Sequence, residues 1–495
     1  MEAPLTPSHP TGAEKPTKST PQRGGSSDNS QYAQHKSEAI WGYADPHETD
    51  PKLQCASYAL ELLSNGGLRS HVVAVLVSRN SLELLYYDRS IVVKSEPLRF
   101  TDNTATFLAV LSGFAHLHSR RWGYPALLEP PAIPQALPPK PPKGFWRGMY
   151  KDHVLKLGDH WKLTLGNILF RAHGVIGRGT VVVQATVTSC PRLDLNGKTV
   201  VVKWSWVPKT RIPEVDIVNG VRQHGIEQDR PEMLRHLPDI YHSQQFDALT
   251  PECQRSLFQN LPAGTYEERV LRVIVQEELR PIDELEDPVK LAQAFKQNFE
   301  CYRWLYEETK TIHRDISVSN LMFHEIDGKV YGVLNDYDLA LRLNDEPPST
   351  SKQRTGTKPY MAIDLLVPEP PYHLPRHDLE SFLYVLVFLT CQIKGSKLAK
   401  WGDLTMDDLR DKKNTAITQE EFPSTKNHFE SFSTWITDIS TLFGTGFNNR
   451  RLHRVGVERA KRTGSSPLSF DDVTLGDSVT FDKFAEILEV PIIQS

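Results

Sequence analysis

Residues 313–320 read His-Arg-Asp-Ile-Ser-Val-Ser-Asn, which sets Asp315 and Asn320 five positions apart. A carboxylate can accept or orient a hydroxyl proton and a carboxamide oxygen can ligate Mg2+, so this spacing lets one short loop turn both toward one phosphate. Sixteen residues past Asn320 lies Asp336, in Asn335-Asp336-Tyr337-Asp338 behind the strand-like run Val330 to Leu334, and it is offered as a second metal carboxylate. Upstream, Val175-Ile176-Gly177-Arg178-Gly179-Thr180 places G-x-G beside β-branched runs, suited to a hairpin whose backbone approaches phosphates closely. Val200-Val201-Val202-Lys203 then puts a lysine at the end of a buried-looking strand. An ammonium there needs anions around it. Taken singly, each feature has a plain alternative: a surface turn, an ordinary glycine turn, a lysine reaching solvent.

The elements that must hold these residues follow from periodicity. Leu291, Phe295, Phe299, Tyr302 and Leu305 recur at helical spacing ahead of His313, while Val175 to Val187, Thr199 to Trp204 and Val270 to Gln276 read as strands. Gly356-Thr357-Lys358-Pro359-Tyr360-Met361-Ala362-Ile363-Asp364 closes the segment opened by Asp336, and His377-Asp378-Leu379-Glu380-Ser381 begins an apolar helix. The apolar run Phe382 to Cys391 is about half of the ~20 residues a membrane span needs, so it reads as a core helix. Glycine loop, lysine, H-R-D-x-x-x-x-N, metal aspartate, G-T-x-x-Y-M-A and helix aspartate occur in one order. That order predicts an α+β, two-lobed protein-kinase-like fold over 160–395, with a first lobe over about 160–280 and a second over about 281–395.

Around this domain the composition shifts. Residues 1–48 are rich in Ser, Thr, Pro and Gly and read as a disordered tail, since they bury too little to offset ordering entropy. Residues 51–128 read as a small α/β unit: a helix around Leu60, Leu62 and Leu63, strands at His71 to Val77, Ser81 to Asp88 and Ile91 to Ser95, then a helix carrying Phe107, Leu111, Phe114 and Leu117. The proline cluster within 129–143 reads as a stiff linker, or as a ligand for an aromatic groove. Residues 396–495 form an extension that could complete the second lobe. Within it Arg450, Arg451, Arg454, Arg459, Lys461 and Arg462 make either a solvated basic face or a nuclear-localisation or polyanion patch. Overall the 57 basic and 61 acidic side chains nearly cancel, which argues against nucleic-acid or lipid attraction over the whole surface. Five scattered cysteines with no Cys-x-x-Cys and no secretory leader or membrane span predict reduced thiols in the cytoplasm or nucleus.

The chain resembles the fungal-type protein kinases, a fungus-restricted family of eukaryotic-like kinases, over about 51–395. Gly177-Arg178-Gly179-Thr180, Lys203-Trp204-Ser205-Trp206, His313-Arg314-Asp315-Ile316-Ser317, Asp336-Tyr337-Asp338-Leu339-Ala340, Gly356-Thr357 with Tyr360-Met361-Ala362, and His377-Asp378-Leu379-Glu380-Ser381 carry the resemblance. It implies transfer of the γ-phosphoryl group of ATP to Ser or Thr of a protein substrate. Lys203 would bind the α and β phosphates, Asp315 would be the catalytic base, Asn320 and Asp336 would hold Mg2+, and Gly177 and Gly179 would cover the nucleotide. Asp378 would brace the catalytic loop. Glu214, with Asp216 as fallback, would pair with Lys203, and backbone groups from Glu277 to Leu279 would form the adenine hinge. Phosphorylation within 345–357, at Ser349, Thr350, Ser351 or Thr355, could order that segment through Arg314. Three positions depart from the common kinase pattern: Ser317 where a lysine usually meets the γ-phosphate, Asp338 in place of a glycine, and Ile363-Asp364 in place of Pro-Glu. The first two motivate a rival reading, a nucleotide-binding pseudokinase acting as a scaffold. A small-molecule phosphotransferase is the other alternative, disfavoured by the G-T-x-x-Y-M-A segment.

Overall fold

The computed structural model describes residues 50–65, 68–124, 127–131, 145–246, 267–343, 356–466 and 469–492. The tail expected at 1–48, most of the proline cluster, Cys253, and Ser349, Thr350, Ser351 and Thr355 lie outside the described residues.

Helix α1 (Pro51–Asn65) is followed by strands β1 (His71–Val77), β2 (Ser81–Asp88), β3 (Val92–Lys94) and β4 (Leu98–Arg99), with β2 antiparallel to the other three. Ala59, Leu63, Val72, Leu85 and Tyr87 make a small core here, and Val175 from a much later loop packs against it. Helix α2 (Thr104–Ala115) starts where the Asn103 side chain accepts from the Thr106 amide. Its apolar residues have helical spacing, yet none of them is buried.

A seven-stranded antiparallel sheet carries the upper half of the site. Its strands are β5 (Leu128–Glu129), β6 (Val154–Leu157), β7 (Trp161–Arg171), β8 (Val181–Ser189), β9 (Thr199–Pro208), β10 (Ile240–Phe246) and β11 (Arg269–Glu277), in spatial order β10-β11-β9-β8-β7-β6-β5. Alternate residues of β8, Val181, Val183, Ala185 and Val187, point into a core shared with Leu163, Leu165, Val200, Val202, Leu271 and Val273. β9 is buried along both faces, which is why apolar side chains occupy both of them, with Lys203 and Ser205 buried among them. The strand expected from Val175 begins only at Val181. Gly177 (φ +119°) and Gly179 (φ +50°) take left-handed backbone that no strand accepts, and the β-branched residues beside them concealed the break. Helix α3 (Glu214–Glu227) follows Pro213 and places Glu214 and Asp216 in its first turn.

The other half is helical. After β12 (Arg280–Pro281) comes α4 (Pro288–Thr309), started by the Asp287 side chain on the Val289 and Lys290 amides and ended by Lys310 at φ +51°. Next come β13 (Thr311–Ile312), β14 (Leu321–Ile326), β15 (Lys329–Leu334), β16 (Leu341–Arg342), α5 (Pro375–Thr390), α6 (Met406–Thr418), α7 (Phe432–Thr463) and α8 (Phe481–Leu488). Leu291, Phe295, Phe299, Tyr302 and Leu305 of α4 are buried in one core, where Phe295, Phe299 and Tyr302 pack on Phe382 of α5, and each such side chain contributes about 1.5–3 kcal/mol of burial. Phe432, Trp435, Ile436, Ile439 and Phe443 of α7 and Phe484 and Leu488 of α8 enter the same core, so the residues past 395 help build it. Beyond Gly446 no residue of α7 is buried, and Arg451, Arg454, Arg459, Lys461 and Arg462 are exposed there. The mixture of an antiparallel sheet with a helical half is an α+β arrangement of the kinase-like kind. Among the described residues no helix is long and apolar enough to cross a membrane, and Cys55, Cys190, Cys301 and Cys391 are free thiols.

Candidate active site

Lys203 points from β9 into a cluster of carboxylates. Its Nζ lies 2.7 Å from Glu214 Oε2, 2.7 Å from Asp336 Oδ1 and 3.1 Å from Asp338 Oδ2. It is Glu214 and not the exposed Asp216 that reaches the lysine, and Glu214 Oε1 also accepts the Tyr337 amide at 2.8 Å. A first-turn position therefore serves, with the extended Pro213 immediately before it. Burial alone would strip the Lys203 proton, but Asp336, Asp338 and Glu214 together hold it well above the usual lysine range. Burial pushes Glu214 up to about 8 against the pull of Lys203, while Lys203 and Arg178 overcome the burial of Asp336 and hold that carboxylate below its usual range.

The loop between β13 and β14 carries His313, Arg314, Asp315 and Asn320. Arg314 sits at φ +69°, and the amides of His313 and Arg314 both donate to Asp378 Oδ2 at 3.0 Å. The other Asp378 oxygen is 2.8 Å from His373 Nε2. Burial would raise Asp378, but His373 and the loop amides hold it at about 2, so it braces the loop as an anion. Asp315 Oδ1 accepts from Thr357 Oγ1 at 2.8 Å, and burial raises the Asp315 carboxyl despite the opposing charge of Arg178. Asn320 gives its Nδ2 to the Asp315 carbonyl at 2.8 Å, which leaves its carboxamide oxygen for another partner. The Asn335 amide donates to the Asn320 carbonyl at 2.9 Å and so ties Asn320 to the segment bearing Asp336. Oxygen donors from a carboxamide and a carboxylate are what Mg2+ takes, and Glu214, Asp336 and Asp338 add ligand atoms within 4.8 Å of one another. The residues fit a divalent cation.

The glycine loop between β7 and β8 is fastened from outside. Gly177 donates its amide to the Arg89 carbonyl at 2.9 Å, and the buried Arg89 guanidinium donates to the carbonyls of Gly174 and Leu63, each at 2.6 Å. A Cβ on Gly179 would lie 2.5 Å from Arg89 Cζ. The glycine loop is thus wedged against the β2–β3 turn, a contact for which the sequence carries no periodic signal. At the expected hinge, the Glu277 amide is already given to the Asp239 carbonyl at 3.0 Å and its side chain accepts the Asp239 amide. The hinge contribution of Glu277 is therefore limited to its carbonyl, while Leu279 is buried just beyond. Gln276, which sequence reasoning missed, is buried at the inner end of β11 with its Nε2 on Asn335 Oδ1 and its Oε1 unpaired.

The departures have partners. Asp338 Oδ2 lies 3.5 Å from Arg178 Nη1 as well as near Lys203, so its extra charge faces two cations. Asp364 meets Arg450, Arg376 and His377, and the neighbouring Ile363 amide donates to Glu380 Oε1 at 2.8 Å. Ser317 is fully buried with its Oγ 3.0 Å from Ser319 Oγ, and it brings no charge.

Lys203, Glu214, Asp315, Asn320 and Asp336 thus converge beneath Gly177 and Gly179, with Asp378 behind the loop. No curated protein matches the chain. The family model described as fungal protein kinase matches residues 42–245 and 230–390, from before α1 to the end of α5. That match takes in the glycine loop, Lys203, the loop bearing Asp315 and the whole of the carboxylate cluster, and on it the chain belongs to the fungal protein kinase family.

Proposed function

We propose that the chain is an ATP- and Mg2+-dependent kinase that transfers the γ-phosphoryl group to a Ser or Thr hydroxyl of a protein substrate. The observation that carries this reading is the contact of Lys203 with both Glu214 and Asp336 at 2.7 Å, because it joins sheet, helix α3 and metal-site segment in one charged unit. Lys203 would orient the α and β phosphates. The backbone around Glu277 to Leu279 would receive the adenine, and Gly177 and Gly179 would lie over the phosphates.

In the transfer, the substrate oxygen forms a bond to the γ-phosphorus as the bond to the β–γ bridging oxygen breaks, and ADP leaves with that electron pair. Asp315 accepts the hydroxyl proton, a role favoured by burial, which raises its carboxyl. Thr357 orients that carboxylate, and Asp378 holds the loop that carries it. Asn320 and Asp336 would hold Mg2+, which when bound supplies charge neutralisation at the phosphate oxygens. Gly356 to Asp364, fixed through Asp364 and Glu380, would offer a platform for an extended peptide.

Calorimetry on the full-length chain tests the arrangement. Asp336→Asn should lose the enhancement of nucleotide binding by Mg2+, whereas Asp315→Asn should keep it and lose turnover. Mg2+-enhanced binding in Asp336→Asn would contradict the metal assignment. Nucleotide binding by the wild type with no transfer would favour the pseudokinase reading.

A further inference from the structure

Four carboxylates, Glu214, Asp315, Asp336 and Asp338, face Lys203 and Arg178, with Arg211 at the edge, its Nη1 on the Asp338 carbonyl at 2.9 Å. On the loop that carries Asp315, Ser317 stands where a cation could meet the terminal phosphate, and the one guanidinium of that loop, Arg314, is buried near Arg211. Arg178 lies between Gly177 and Gly179, and both glycines have positive φ. Its carbonyl accepts the Trp206 amide at 2.6 Å, which pins the loop to β9. There the guanidinium is 3.5 Å from Asp338, with 31% of the side chain exposed. Burial works against its charge, but Asp338, Asp336, Asp315 and Glu214 outweigh it. The contact with Asp338 is long, while a guanidinium can give short paired hydrogen bonds to an anion with several oxygens. A terminal phosphate between Asp336 and Asp315 would be such an anion.

We propose that Arg178 is a catalytic residue whose guanidinium binds the terminal phosphate of the nucleotide, and that Asp338 holds it in position between turnovers. The proposal rests on the phosphotransfer reading of the same site. Arg178 stays protonated throughout: the acceptor oxygen bonds to the terminal phosphorus, the bridging bond breaks onto ADP, the proton passes to Asp315, and Arg178 neutralises charge on the non-bridging oxygens. The departure at Asp338 and the missing cation at 317 then have one explanation. The cation has moved from the loop below the phosphate to the loop above it, and the carboxylate has come with it.

The test compares wild type, Arg178→Met and Arg178→Lys as full-length chains, by calorimetry with a non-hydrolysable ATP analogue and with ADP, both with Mg2+, and by transfer rate. Arg178→Met should weaken the analogue by roughly tenfold or more and ADP by less than about twofold, and Arg178→Lys should recover part of the difference. Transfer should fall by about 100-fold in Arg178→Met. Should Arg178→Met fail to fold, Arg178→Gln gives the same comparison. An unchanged ratio of analogue to ADP affinity overturns the proposal even where transfer is intact. A wild type that prefers the analogue through Arg178 yet transfers nothing overturns the kinase reading and leaves the phosphate contact standing. A wild type that binds neither nucleotide overturns both.

Discussion

Asp364 receives both terminal nitrogens of Arg450 across 86 residues of chain, Nη1 on Oδ2 at 2.6 Å and Nη2 on Oδ1 at 2.8 Å. Arg376 adds a third contact at 2.8 Å. Burial would raise the Asp364 carboxyl, but His377, Arg450 and Arg376 hold it below the carboxylate range. The pair fastens the end of the Gly356 to Asp364 segment to α7, and it takes Arg450 out of the basic cluster as a free charge.

Removing one partner of a largely buried pair leaves the other uncompensated, so Arg450→Met should cost about 2–3 kcal/mol, somewhat less than a lone pair because Arg376 remains. Arg450→Lys should recover little, since an ammonium cannot make the two-toothed contact. Urea unfolding of the three proteins measures both effects.

Asp378 sets a pH dependence. Its folded value of about 2 lies below the unfolded carboxylate value, so its ionised form adds stability above about pH 4, and that is lost as pH falls through about 2. The contribution is about 2 kcal/mol at neutral pH. Asp378→Asn should be destabilised by roughly that amount at pH 7, and the gap to wild type should narrow as pH drops from 4 toward 2. Denaturant titrations along that series check the sign: a gap that widens in acid would mean the brace is not held by charge.

The wedge of Arg89 against the glycine loop predicts coupling. Gly179→Ala places a Cβ against the guanidinium and forces alanine to φ +50°, so the KM for ATP should rise by roughly tenfold while the melting temperature changes little. Arg89→Ala alone should also raise KM by loosening the Gly174 contact. The double variant should fall short of the product of the two, because the clash is gone and only the backbone strain of alanine is left. Strictly multiplicative effects would show that the residues act independently.

Arg314 is buried, its Nε has no partner, and burial together with the nearby Arg211 lowers its guanidinium to about 10. Two such cations would welcome a phosphate on Ser349, Thr350, Ser351 or Thr355. Phosphatase treatment should lower the activity of a phosphorylated preparation, and Arg314→Ala should lose the stimulated rate more than the basal one. Full activity with no phosphate in 345–357, mapped by mass spectrometry, would exclude this switch.

Much of the site was legible because its residues come in short spacings set by chemistry. The five-residue step from Asp315 to Asn320 and the lysine in an apolar strand needed no knowledge of the packing. The helix of Leu291 to Leu305 and the buried run at Phe382 were equally readable, since each repeats a periodicity that burial imposes. What stayed hidden are pairings between distant elements. Arg89 with Gly174, Arg178 with Asp338 and Arg450 with Asp364 leave no mark on local pattern, because a contact between distant residues constrains two positions and nothing between them. The last hundred residues were opaque for another reason. Helix α7 buries only its first half, and α6 is mostly polar, so neither shows a long apolar stripe although both complete the helical core.

The measurement that bears most directly on the account is single-turnover transfer of the labelled terminal phosphate of ATP by wild type, Lys203→Met and Asp315→Asn, with a protein acceptor and with Mg2+ present or withheld. The account predicts Mg2+-dependent label on serine or threonine of the acceptor by the wild type, falling at least about 100-fold in each variant while all three remain folded. Absence of transfer by the wild type, or transfer by Asp315→Asn at the wild-type rate, would contradict it.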